Sequence, residues 1–207
     1  MLKPGIIADE NKIKEFIECT DINDVWYESF EGWKLNLRLG NEVYLSSEEL
    51  PKVLEKGDVV SIRSGEFALL ITEEKIKLPF NVMGFISMRF SFKRKGLINV
   101  SGFHVDPGYY GKLIFSVYNA GPNDIVVRRC DSLFMIFFER FENKISESYK
   151  QKENYENIPS SMITDIKGRS VTLSNNAVKI EKLEFYFKIL LGVVIAMVTL
   201  VVKGLLE

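Results

Sequence analysis

The chain has 207 residues, 46% of them hydrophobic, and a formal net charge of −1. That length supports one ordinary domain with an appendage, and a near-neutral balance without a clustered basic excess excludes a general nucleic-acid binder. One histidine and two cysteines cannot assemble a His/Cys zinc site. Cys19 and Cys130, far apart and in different predicted elements, read as small buried apolar residues in a reducing compartment.

Met1 to Gly5 lacks the charged and apolar regions of a signal peptide, so a cytosolic N-terminus is expected. Asp9 precedes Ile13, Phe16 and Ile17, which predicts a short amphipathic helix capped by Asp9. Residues 20–32 are turn-rich, and Trp26, Tyr27, Phe30 and Trp33 form an aromatic cluster suited to core or subunit packing. Leu35, Leu37 and Leu39 alternate with Asn36 and Arg38, the period of a strand, which ends at Gly40-Asn41. Ser46 to Glu55 reads as a short helix interrupted by Pro51. Further strands are expected at Val59 to Arg63, Phe67 to Thr72 and Val82 to Arg89. Three or four more follow between Gly96 and Phe138, punctuated by Asp106-Pro107-Gly108 and by Ala120 to Asn123. Many short strands with frequent turns predict an all-β barrel or sandwich.

Asn143 to Asn157 is almost wholly polar and reads either as a linker or as a loosely ordered arm. Beyond Ser170 the pattern turns helical: Leu173, Ile180, Phe187 and Val194 recur at sevens, with Leu183 and Leu190 at the second seam position, which predicts a coiled-coil stem. Ile189 to Val202 is strictly apolar. Phe185, Tyr186 and Phe187 stand where an interfacial aromatic belt would lie, and Lys188 and Lys203 can snorkel from the two ends, extending the span to about 20 residues. One transmembrane helix is expected. Lys179, Lys182 and Lys188 precede it and only Lys203 follows, which puts the N-terminal domain in the cytoplasm as a single-pass, tail-anchored membrane protein. Gly192 and Ala196 form a small-xxx-small pair that would let two helices approach.

The segment HVDPGYYGKLIFSVYNAG resembles the central motif HRIDPGxxGxxxLEFxN of the dCTP deaminase and dUTPase superfamily. KLNLRLGNEVYL is similar to its V-D-L-R-L-G-N strand. The run GDVVSIRSGEFALLITEEKIKLPFNVMGFISMRFSFKRKGL is similar to its P-G-E-F-x-L-x-x-T…LP…G…R-S-S-x-x-R-x-G-L segment. The matches keep their order over roughly residues 5 to 142. The resemblance implies a mainly β fold: a dUTPase-like β-barrel, or distorted jelly roll, at 1–142, which includes the short N-terminal helix. A polar linker or arm at 143–169, a helical stem at 170–184 and a transmembrane helix at 185–206 would follow.

The resemblance also implies a homotrimer with sites at subunit interfaces and a deoxynucleotide or other nucleotide ligand; the apolar C-terminal helix adds a membrane partner, and the charge balance gives no reason to expect nucleic acid. Deamination in the family needs no zinc, and no metal ligands or cofactor are expected here beyond Mg²⁺ accompanying a nucleotide. Asp106 matches the aspartate near the sugar and the reacting water; capping its own Asp-Pro-Gly turn is an equal alternative. Arg89, Ser91 and Arg94 match parts of the phosphate-contacting R-S-S-x-x-R, and guanidinium forks suit phosphate oxygens. Phe90 replaces one of its serines. His104 reads either as the family's histidine before the turn or as a hydrogen-bonded structural residue. Tyr149, Lys150, Lys152 and Tyr155 are faintly similar to a Y-K-x-K-Y arm pattern that closes over the triphosphate, although a solvated linker is the better reading of them.

Ser116 falls where dCTP deaminases place the glutamate that shuttles protons to water and leaving amine. A serine hydroxyl does not titrate near neutral pH and cannot take over as general base unaided. Glu139 and Glu142 lie too far along the fold to replace it. Asn36 stands at the strand-motif aspartate that dUTPases use near metal-bound phosphates, which removes a Mg²⁺ carboxylate. Three readings remain. The first is a catalytically degenerate nucleotide sensor held at a membrane, with Arg89, Ser91, Arg94, His104 and Asp106 binding the ligand and Ser116 marking the lost base. The second is an active dCTP deaminase or dUTP pyrophosphatase of pyrimidine deoxynucleotide metabolism, and the third is a purely structural trimeric membrane scaffold.

Overall fold

Short segments that alternate apolar and polar residues, or run apolar throughout, fill residues 35–140, and they form strands because their side chains reach a core on one face or on both. The computed structural model describes residues 5–18, 30–146, 154–166 and 173–206, with backbone alone at 173–178 and 204–206. Two compact units divide the chain, Met1–Ser170 and Val171–Glu207.

The first unit begins with β1 (Gly5–Ile6), α1 (Glu10–Lys14), β2 (Ile17–Glu18), β3 (Leu35–Leu45), β4 (Lys52–Val53), β5 (Val59–Ile62), β6 (Phe67–Lys77) and β7 (Val82–Met88). It continues with α2 (Phe90–Lys93), β8 (Leu97–Asn99), β9 (His104–Val105), β10 (Tyr110–Asn119), β11 (Ile125–Arg128), β12 (Ser132–Arg140) and α3 (Ser160–Ile166). The main sheet runs β8-β10-β6-β3-β12-β7-β9, with β1, β2 and β4 paired to its flanks, and β11 pairs with β5 in a small second sheet. Every pairing is antiparallel, and the sheet curls into a half-barrel. This is the mainly β, dUTPase-like architecture expected from the sequence.

Strand β6 shows how the sheet serves two layers. Ala68, Leu70 and Ile76 face the main core with Leu37, Phe115, Ile136 and Phe138, whereas Leu69 and Ile71 face the other side with Tyr44 and Ile158. Each buried Leu, Ile or Phe among them contributes about 1.5–3 kcal/mol. Met162, Ile163 and Ile166 of α3 cover the second face. The polar stretch expected to be linker or arm thus leads into a helix docked on the sheet.

Several local expectations change. The helix expected from Ser46 to Glu55 is absent: Lys52 and Val53 pair with Val43 and Glu42 as β4, and Leu50 and Val53 are 75% and 69% exposed, so no apolar stripe exists to hold a helix. Asp9 does cap α1, accepting the Asn11 N–H at 3.0 Å. That helix stops at Lys14, and Ile17 belongs to β2. Residues 96–138 hold or begin five strands, β8 to β12, rather than three or four. Cys130 is partly exposed rather than buried, in a turn with φ 70°; Cys19, Trp26 and Tyr27 lie outside the described residues.

In the second unit, α4 (Leu173–Leu206) is one continuous helix of 34 residues. Its segment Lys179–Lys203, 25 residues with mean hydropathy 2.5, is long and apolar enough to cross a membrane. Residues 173–184 and the apolar span lie in this one helix.

Candidate nucleotide site

The turn between β9 and β10 fixes the best-defined part of the site. Tyr109 N–H donates to Asp106 C=O at 3.2 Å. Gly108 occupies φ +81°, where an added Cβ would also strike the Phe80 ring at 2.7 Å, so the Asp-Pro-Gly sequence is required by both conformation and space. The turn leaves the Asp106 carboxylate half-buried, with Oδ1 3.3 Å from His104 Nε2. Both side chains line a cavity of about 160 Å³ with Ile86, Ser101, Tyr109, Ile114 and Tyr155. Burial pushes the Tyr109 phenol up, with Glu156 adding to the effect, and its O–H donates to the Lys112 carbonyl. Tyr109 therefore acts as a buried strut beneath the turn.

Ser116 lies further along β10, two residues from Ile114 and hence on the same face of the strand. It lines a second cavity of about 190 Å³ with Leu69, Ser101, Ile114, Met162, Asp165 and Ile166. Ser101 and Ile114 line both cavities, which therefore lie on either side of these two residues as neighbours. Ile86 connects the Asp106 end to a third space of about 390 Å³ that includes Ser87, Asn99 and Lys93, whose Nζ donates to Ser87 Oγ at 3.0 Å. Three neighbouring spaces, together the furrow, thus hold a histidine and a carboxylate in one, a serine and a second carboxylate in another and a lysine in the third.

Residues 154–158 are tied down beside it. Lys112 N–H donates to the Tyr155 carbonyl at 2.8 Å, Ile158 N–H to Glu42 Oε2 at 2.6 Å, and Lys75 pairs with Glu156 at 2.8 Å. Gly111 permits this approach: at φ +151°, an added Cβ would meet Tyr155 N at 3.0 Å and O at 3.1 Å. Tyr149, Lys150 and Lys152, the rest of the expected arm pattern, lie outside the described residues.

The expected phosphate residues do not gather around Asp106 within one chain. Arg89 and Arg94 bracket α2 as its caps, and Arg89 uses no side-chain capping bond. Arg94 lines another space of about 420 Å³ with Pro122, Asn123 and Asp124. Ser91 is exposed, as is Phe90 at 75%. Asn36 is buried elsewhere, its Nδ2 donating to Glu31 Oε1 at 2.7 Å while its Oδ1 has no partner. Asn36 and Lys34 hold the Glu31 carboxyl below its ordinary value, and Arg89 adds to the effect. A neutral amide enclosed in this way does not fit a Mg²⁺ ligand. Among the described residues no group of three or more His, Cys, Asp or Glu side chains could hold a metal ion.

Counted from Asp106, the motif's histidine position is taken by Phe103 and its arginine position by His104, a one-residue difference from the sequence expectation. Ser101, Lys93 and Asp165 carried no motif. Their place in the furrow arises from pairing between distant segments, as in the bond from Ser101 N–H to the Ser116 carbonyl at 3.3 Å. The apolar spacing of Met162, Ile163 and Ile166 was the one local sign of a docked helix carrying Asp165.

Residues 32–141 match the family model described as dCTP deaminase-like. The chain belongs to that family. Among dCTP deaminases, that of Pyrococcus abyssi is 33% identical over 123 residues, covering 59% of this chain and 78% of the relative. That of Shewanella amazonensis is 30% identical over 102 residues, covering 49% and 53%. The 2′-deoxycytidine 5′-triphosphate deaminase of Agrobacterium tumefaciens superposes with a TM-score of 0.56 at 19% identity, over 67% of this chain and 50% of that one, a likeness of fold. The family match ends just past β12, so α3 and α4 lie outside it.

Proposed function

We propose that this dCTP deaminase-like chain binds a pyrimidine deoxynucleoside triphosphate and holds it without turnover, as a membrane-anchored sensor. The observation that carries the reading is the furrow itself: Asp106 and His104 line one space, and Ser116, not a glutamate, lines its neighbour. Loss of a general base removes about 10²–10⁴-fold of rate, enough to turn an enzyme into a binding module. Asp106 would contact the sugar. Arg89, Ser91 and Arg94, which do not share its cavity, would meet phosphates in a trimer where a second copy completes the site. The helix α4 would anchor the assembly, with the β domain in the cytoplasm.

Equilibrium binding of dCTP to the full-length protein in detergent micelles tests this reading. Asp106→Ala and Arg94→Ala each weaken binding by roughly tenfold or more, the scale of one lost hydrogen bond to a charged group. Unchanged affinity in both variants would remove these residues from the site.

One observation favours a second reading, an active dCTP deaminase or dUTP pyrophosphatase. Asp165 brings a carboxylate to the cavity that Ser116 lines. Turnover by the wild type that Asp106→Ala abolishes would establish it.

A further inference from the structure

The Ser116 cavity is lined mainly by apolar side chains, yet it has a carboxylate at its edge. Leu69, Ile114, Met162 and Ile166 provide the apolar walls, and Ser101, Ser116 and Asp165 provide the polar groups. Asp165 reaches it because of helix spacing: Met162 and Ile166 dock α3 on the sheet, and residue 165, three after one and next to the other, is carried to the same border. Asp165 forms no hydrogen bond or ion pair with any described residue. Its neighbours in the cavity offer two hydroxyls as the only side-chain donors. Asp165 is exposed at the cavity's open edge, so a ligand seated there displaces the water that solvates its carboxylate; an N–H group replaces the hydrogen bond that water donated, and a ligand oxygen does not.

The space, about 190 Å³, exceeds the roughly 150 Å³ of an apolar cavity that accepts benzene, and so accommodates one six-membered ring. We infer that Asp165 determines specificity by distinguishing an amino from a keto substituent on a bound pyrimidine ring. The ring lies between Ile114 and Met162, with the sugar toward Asp106 in the adjoining cavity. An exocyclic amino group donates to Asp165. A keto oxygen at the same place sets acceptor against acceptor, and this repulsion supplies most of the discrimination. The inference rests on the nucleotide-binding reading and adds to it a residue from outside the family-matched segment.

The test compares dCTP and dUTP binding to full-length wild type and Asp165→Asn in detergent micelles, with thermal melting as the check on folding. Wild type prefers dCTP by about ten- to a hundredfold, the value of a hydrogen bond to a charged group. Asn can turn its amide to donate to a keto oxygen, so in the variant the preference falls below about threefold, mainly through tighter dUTP binding. Binding of both nucleotides with the same preference in wild type and variant overturns the role of Asp165 and leaves the binding reading standing. A wild-type preference for dUTP also overturns it. Failure of wild type to bind either nucleotide overturns both.

Discussion

Glu74 is fully enclosed in β6, and what keeps it there is Arg38, whose Nε donates to Glu74 Oε1 at 2.6 Å and whose backbone N–H donates to Oε2 at 2.9 Å. Burial pushes the Glu74 carboxyl up, and Arg38 opposes that shift. Arg38→Met leaves the acid enclosed without its cation, a change expected to cost about 3–5 kcal/mol, measured by chemical denaturation. The pH dependence follows from the sign. A carboxyl with a raised native pKa contributes full stability below the ordinary value of 4.5 and loses it as pH rises through the native value. The variant's deficit is therefore smaller at low pH than at neutral pH. Replacing both residues, Arg38→Met with Glu74→Leu, recovers most of the loss.

The same scale explains what the sequence could reveal of the site. Asp106, Pro107 and Gly108 form a local turn, so their arrangement is encoded in adjacent letters. Ser116 was legible by its place on the motif strand. Asp165 was not, because its meeting with Ser116 depends on α3 crossing a sheet face assembled from β3, β6 and β10.

Among the elements, long strands were the clearest features: burial alternates along much of β10 and β12, whereas in β3 the sequence alternates but Asn36 and Arg38 are buried along with the leucines. Strand β6 is apolar on successive residues at its start, where α3 covers its second face, and its continuation to Lys77 was hidden by Glu73, Glu74 and Lys75, of which the two glutamates are buried against Arg129 and Arg38. α3 itself has only seven residues within a polar region, too few for periodicity to stand out. Its docking is open to test at Gly111. Gly111→Ala places a methyl against the Tyr155 backbone at a φ of +151°, with an expected strain of about 1–3 kcal/mol. Hydrogen exchange should accelerate at 154–166 while β6 and β12 remain protected. Equal acceleration throughout would mean that the segment and the sheet open together.

At the scale of the whole molecule, two apolar surfaces call for partners. In the β domain, Trp33, Phe137, Phe85 and Phe103 form a ladder with successive ring centroids 5.6, 5.3 and 6.5 Å apart, and Trp33 and Phe103 are 47% and 64% exposed. A second copy covering this ladder would fit the trimer proposed for the site. Sedimentation of the detergent-solubilised protein should then report a trimer for wild type and a smaller species for Phe103→Glu, while unaltered assembly would place the contact elsewhere. In the second unit, the 25 residues of Lys179–Lys203 rise about 37 Å as a helix, against a hydrocarbon core of about 30 Å. Val194→Asp near the middle costs about 2.5–3.5 kcal/mol of insertion energy. It should shift protein from the carbonate-resistant membrane fraction to the supernatant, and no shift would count against a spanning helix.

The central claim is that this chain holds a pyrimidine deoxynucleotide without converting it. Calorimetric titration of the full-length protein with dCTP and dUTP, followed by product analysis of each mixture, addresses both parts at once. Saturable binding with the nucleotide recovered intact is the predicted result. Conversion of dCTP to dUTP, or of dUTP to its monophosphate, would contradict the reading of Ser116, and absence of binding would contradict the ligand.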